Sequence, residues 1–81
     1  MTTPPSESII DMLPGETAVV LGFSAGHGVA RKLLTMGIVP GRRIQKVSGG
    51  RHGPVVVRVS DVSIAIGGTL ALKILVQRER A

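Results

Sequence analysis

Along the chain, the spacing of apolar residues changes from strand-like to helical once and then back again. Residues 17–23, Thr-Ala-Val-Val-Leu-Gly-Phe, are rich in β-formers and largely apolar on both alternating sets, which predicts a strand covered on both faces. Gly22 inside that run predicts a bulge or a close backbone approach. The helical stretch begins at Val29. At about 100° per residue, Val29, Ala30, Leu33, Leu34 and Met36 share one arc, and Arg31, Lys32 and Thr35 occupy the remainder. The cations therefore face solvent or a partner, with Val29, Leu33 and Met36 over the core. Gly37 suits the left-handed residue just past a helix, and Pro40 forbids continuation. Gly41 after Pro40 then fits the third position of a type II turn.

Strand spacing returns in residues 43–47, 54–59, 62–66 and 73–77. The separators are a glycine-rich loop over 48–53, a Ser60-Asp61 turn and one helical turn over 67–71. Pro54 is tolerated only at a strand start or edge. Ahead of the first strand, Ser6 or Ser8 can cap a brief helical turn through residues 9–13 that Pro14-Gly15 ends. Ile10 and Leu13, three apart on that turn, are expected to plug one end of the fold. Five short strands with one helix inserted after the first predict a mostly-β, partly open barrel. The middle three strands pair as a meander, and the last lies beside the first. The predicted core is Val20, Leu33, Ile44, Val47, Val55, Val57, Ile64, Ile66, Ile74 and Val76. Residues 1–7 are expected as a flexible tail, 8–77 as one domain and 78–81 as a second tail.

Composition narrows the choice of function. Eighty-one residues allow a single core. With no cysteine, disulfides and thiolate metal sites are excluded, and a reducing compartment is suited. Phe23 is the one aromatic residue, so neither a base-stacking platform nor an aromatic peptide groove can be built. The longest uncharged apolar stretch, residues 62–72, contains two glycines and falls short of the ~20 residues of a spanning helix. No basic segment precedes an apolar one at the start, so no secretory signal is visible and a cytoplasmic location is expected. Ten Lys and Arg against five Asp and Glu give a net charge of +5. That balance invites nucleic acid, an anionic membrane surface or an acidic protein, with an ordinary solvated basic surface as the plainer explanation.

Catalysis finds little footing. Glu7, Asp11, Glu16, Asp61 and Glu79 fall near termini or turns, no serine sits in a nucleophile elbow, and the glycine loops do not form a P-loop. A non-enzyme without a cofactor is expected. His27 and His52 stand singly in glycine-rich loops, whereas transition-metal sites gather three or four convergent ligands, so no metal site is assigned.

The run Leu33-Leu34-Thr35-Met36-Gly37-Ile38-Val39-Pro40-Gly41 resembles the signature of FeoA-like proteins of bacterial ferrous-iron uptake. Leu13-Pro14-Gly15-Glu16, Val19 to Phe23, Gly53-Pro54-Val55-Val56-Val57, Ile64 to Ala71 and Ile74-Leu75-Val76 resemble other parts of that family, in its order. The likeness covers roughly residues 8–77. It implies an SH3-like barrel, cytoplasmic and non-enzymatic, that acts beside the FeoB-type ferrous-iron permease by binding its cytosolic GTPase portion. The same domain also ends iron-dependent repressors, and the short chain favours the free-standing form. Met36, Gly37, Pro40 and Gly41 are the structural motif. Arg31, Lys32, Arg42 and Arg43 bracket the helix-end corner, where an acidic partner would be drawn. With Leu34 they are the expected partner-binding residues, and Val56 and Leu75 are further candidates for an exposed apolar patch. A basic SH3-like nucleic-acid-binding module, or a detached C-terminal domain of an iron-dependent repressor, is the alternative. Weak self-association is left open.

Overall fold

The structure, a computed structural model, describes residues 7–24, 26–50 and 53–79. The N-terminal tail up to Ser6, the loop positions Ala25, Arg51 and His52, and Arg80 and Ala81 lie outside the described residues. The described chain forms strands β1 (Glu7–Ser8), β2 (Thr17–Phe23), β3 (Arg43–Ser48), β4 (Val55–Val59), β5 (Val62–Ile66) and β6 (Ile74–Arg78). Helix α1 (His27–Thr35) lies between β2 and β3, and the single turn α2 (Gly68–Ala71) lies between β5 and β6. All pairings are antiparallel, in one open sheet of order β1-β6-β2-β3-β4-β5. The β3-β4-β5 meander and the return of the last strand beside the first are as expected. A sixth strand is added. Glu7 and Ser8, the first of which was assigned to the tail, pair with Val76 and Leu75. At the other end β6 runs on through Arg78, and the Glu79 N–H donates to Thr17 O at 2.9 Å, so neither residue belongs to a loose tail.

Local chemistry explains most boundaries. Ser8 caps the three-residue 3-10 turn Ile9–Asp11 reciprocally, and Ser6, the other expected cap, lies outside the described residues. The Ile10 N–H donates to Ser8 Oγ at 3.2 Å, and the Ser8 N–H donates to Asp11 Oδ2 at 3.1 Å. The chain then becomes extended at Met12, so helical spacing stops before Leu13. Ile9, Ile10 and Met12 are buried and Leu13 is 63% exposed, which corrects the expected Ile10–Leu13 plug. The expected bulge at Gly22 is present as a register shift between Val20 and Gly22 against β6. Pro54 immediately precedes β4, where its missing N–H costs no ladder bond.

The core contains Val20, Leu33, Ile44, Val55, Val57, Ile66, Ile74 and Val76 of the expected set, with Ile64 half-buried against them. Burial of a side chain of this size is worth about 1.5–3 kcal/mol. Val47 is the exception, exposed on β3, and Lys46 takes the buried place beside it. The reason is strand parity: Ile44 faces inward, so its same-face neighbour is Lys46, and a residue three positions on points the other way.

Lys46 is tolerated inside because its ammonium finds acceptors. Nζ donates to Met12 O at 2.7 Å and to Ile10 O at 3.1 Å, closing the end of the 3-10 turn. Burial lowers its pKa, opposed by the nearby charges of Asp11 and Glu16. Next to it, Arg78 bridges Glu7 at 2.9 Å and Glu16 at 3.1 Å and donates to Asp11 O at 3.3 Å. The N-terminal segment is thus fastened to β3 and β6 by two cations.

Candidate partner-binding surface

Helix α1 is held from below and from its end. Leu33 is fully buried, and Val29 and Met36 pack partly against the core. The C-terminus closes as a Schellman motif. The Ile38 N–H donates to Leu33 O and the Gly37 N–H to Leu34 O, both at 3.0 Å, with Gly37 at φ 88°. Ile38, buried like Leu33, supplies the apolar contact that accompanies such an end. The following turn has the expected form. The Arg42 N–H donates to Val39 O at 3.0 Å, with Pro40 and Gly41 between them and Gly41 at φ 91°. This turn docks on β2, since the Gly41 N–H donates to Val20 O and the Val20 N–H to Arg42 O. Met36, Gly37, Pro40 and Gly41 therefore act structurally, orienting α1 against the sheet.

The five residues assigned to partner binding divide into two sets. Arg31 and Lys32 are exposed on α1 and, among the described residues, their side chains make no hydrogen bond or ion pair within the chain. Leu34, on the same helix, is 46% exposed. Arg42 and Arg43 are already engaged. Arg42 Nη1 donates to Ser60 Oγ at 3.2 Å. Arg43 meets Glu79 through two parallel contacts, Nε to Oε1 and Nη2 to Oε2, each 3.0 Å. Of the four cations, Arg42 and Arg43 therefore have intrachain partners, whereas Arg31 and Lys32 have none among the described residues. Val56 and Leu75 are half-buried. Larger exposure belongs to Leu13, Leu21, Val62 and Leu72. Leu21 is on the bulge of β2, and a bulge next to Gly22 was the signal that its side chain would be re-aimed.

Other chemistry is sparse. His27 opens α1 and is exposed. Among the described residues, no three His, Asp or Glu side chains come together in a group able to hold a metal ion. The backbone N–H of Leu13 at 2.6 Å lowers the pKa of Glu16, with help from Arg78, and that hydrogen-bonded ion pair raises the pKa of Arg78. These shifts follow from the ion-pair network that fastens the N-terminal segment. No helix is long and apolar enough to cross a membrane among the described residues.

This architecture and its helix-end motif agree with comparisons to known proteins. The FeoA domain model matches residues 8–78. The chain belongs to the FeoA family. That is a family of ferrous-iron transport accessory proteins, and the fold is its SH3-like one. The putative Fe(2+) transport protein A of Methanocaldococcus jannaschii is 40% identical over 63 residues, 78% of this chain and 76% of that protein. A crystal structure of an iron uptake regulatory protein, FeoA, superposes with a TM-score of 0.85 at 32% identity, over 93% of this chain and all of the other. A manganese-dependent transcriptional repressor shares the fold at 22% identity and a TM-score of 0.83. That match covers 96% of this chain and 39% of the repressor, and it shows the fold alone.

Proposed function

We propose that this FeoA-family protein is a cytoplasmic, non-enzymatic accessory of ferrous-iron uptake that docks through α1 on the cytosolic GTPase portion of a FeoB-type permease. Family membership supports the iron-uptake role, as does the likeness to proteins described as an Fe(2+) transport protein and an iron uptake regulator. The observation that carries the docking surface is the state of α1. Among the described residues, Arg31 and Lys32 stand unengaged beside a half-exposed Leu34 on a helix whose opposite face and C-terminus are fixed. A rigid helix loses little conformational freedom on binding, so an acidic patch facing Arg31 and Lys32 gains speed of encounter while Leu34 supplies apolar contact.

The test is capture of the purified permease cytosolic portion by the wild-type chain, Arg31→Glu/Lys32→Glu and Leu34→Ala. Capture by the wild type that weakens in both variants supports the reading. Undiminished capture by the double variant removes α1 as the surface. Retention on a nucleic-acid column with a steep loss as salt rises, in place of permease capture, would support the nucleic-acid alternative.

A further inference from the structure

We propose that β5 is a self-pairing edge, to which a second copy of this chain adds its own β5 antiparallel about Ile64, joining the two sheets. The open sheet has two edges, β1 and β5, and they are treated differently. β1 is two residues long and its Glu7 is held by Arg78, the short and charged form in which exposed edges are usually blunted. β5 has five residues, Val-Ser-Ile-Ala-Ile, with no charge and no proline. It lies opposite β4 in unbroken register from Val59 and Val62 to Val55 and Ile66. Bulges interrupt the β2–β6 and β3–β4 pairings but not this one, so the outer side of β5, which pairs with no strand among the described residues, is a regular template for another strand.

The symmetry of the segment favours a second copy as the occupant. Large apolar residues stand at 62, 64 and 66 and small ones at 63 and 65, so the pattern reads alike in both directions. A two-fold axis at Ile64 places Val62 opposite Ile66 of the second copy, and Ser63 opposite its Ala65. Each face then meets its own kind. Val62 shares the core-facing set of β5 with Ile64 and the buried Ile66, yet it is 59% exposed, and this pairing covers it.

Charge points the same way. Two chains of net charge +5 repel, and contact is favoured where no cations oppose each other. Among the described residues of the neighbouring strand β4, the cation is Arg58, opposite Ser63. In the pair it falls in line with Ala65 and Val56 of the second copy rather than with the other Arg58. A contact of one short strand per copy is below the roughly 1,200 Å² of a standard interface, so the dimer is weak and concentration-dependent.

Sedimentation equilibrium from micromolar to millimolar concentration tests this, because it reads mass and is independent of permease binding. The wild type should pass from monomer to dimer. Ser63→Lys/Ala65→Lys and Ser63→Glu/Ala65→Glu alter exposed positions, and their folding is checked by thermal unfolding. Each alone sets like charges directly opposite one another and should raise the dimer dissociation constant at least about tenfold. Mixed in equal amounts, the two variants should restore the dimer. A wild type that stays monomeric at millimolar concentration overturns the proposal. So does a dimer that persists in both variants, or a mixture that fails to recover.

Discussion

Two cationic regions of this molecule use their charges in opposite ways. Around the N-terminal turn, Lys46 and Arg78 are consumed internally, by the carbonyls of Ile10, Met12 and Asp11 and the carboxylates of Glu7 and Glu16. On α1, Arg31 and Lys32 project from a well-held helix without an intrachain partner among the described residues. The first region spends charge on tying a short segment to a small sheet. The second leaves charge available. Net charge alone does not distinguish them, and hydrogen-bond accounting does: a cation whose donors are satisfied inside the chain is structural, and one left over on a rigid element is open to a partner.

Both regions rest on one buried core, and the largest effect is expected there. Leu33→Ala empties the buried anchor of α1 and should lower unfolding free energy by roughly 2–5 kcal/mol in urea titration. A loss under about 1 kcal/mol would mean that the helix is not fixed from below. Lys46→Met comes next. It leaves the carbonyls of Ile10 and Met12 without their donor, and stability should fall by about 1–3 kcal/mol. Unchanged stability would show that the ammonium is merely tolerated there.

Acid sharpens the same region more gently. The folded-state pKa of Glu16 lies below its ordinary 4.5, so the unfolded chain binds the proton more readily. Its contribution is complete above that ordinary value and is lost as pH falls through the lower folded-state pKa. The unfolding midpoint should drop with pH below about 4.5, and the Glu16→Gln curve should be flatter there. Parallel curves would exclude Glu16 from the network. On α1, by contrast, Arg31→Glu/Lys32→Glu should leave unfolding free energy within about 0.5 kcal/mol of the wild type. A larger loss would place these cations in the fold.

Much of this was legible in the chain itself, where the signal is local. Gly37 and Pro40-Gly41 announce their backbone geometry because only a few residues suit those angles, and Gly22 announces the bulge in β2. The meander follows from short connections. What escaped depends on distant partners or on giving parity its due. Val47 was expected inside because it is apolar, although Ile44 three positions earlier already claims the inward face. Lys46 has the right parity, yet its burial is explained only by carbonyls more than thirty residues away. The corner of four cations was drawn from sequence proximity to one turn. Glu79 and Ser60, remote in sequence, engage two of them and leave the other pair.

The division between engaged and available cations is tested most directly by titrating the permease cytosolic portion with three proteins. These are the wild type, Arg31→Glu/Lys32→Glu, and Arg43→Ala, which removes a cation already held by Glu79. The dissociation constant should be at least about tenfold weaker for the double variant and change under about twofold for Arg43→Ala. Equal affinity for all three, or a loss confined to Arg43→Ala, would contradict that division.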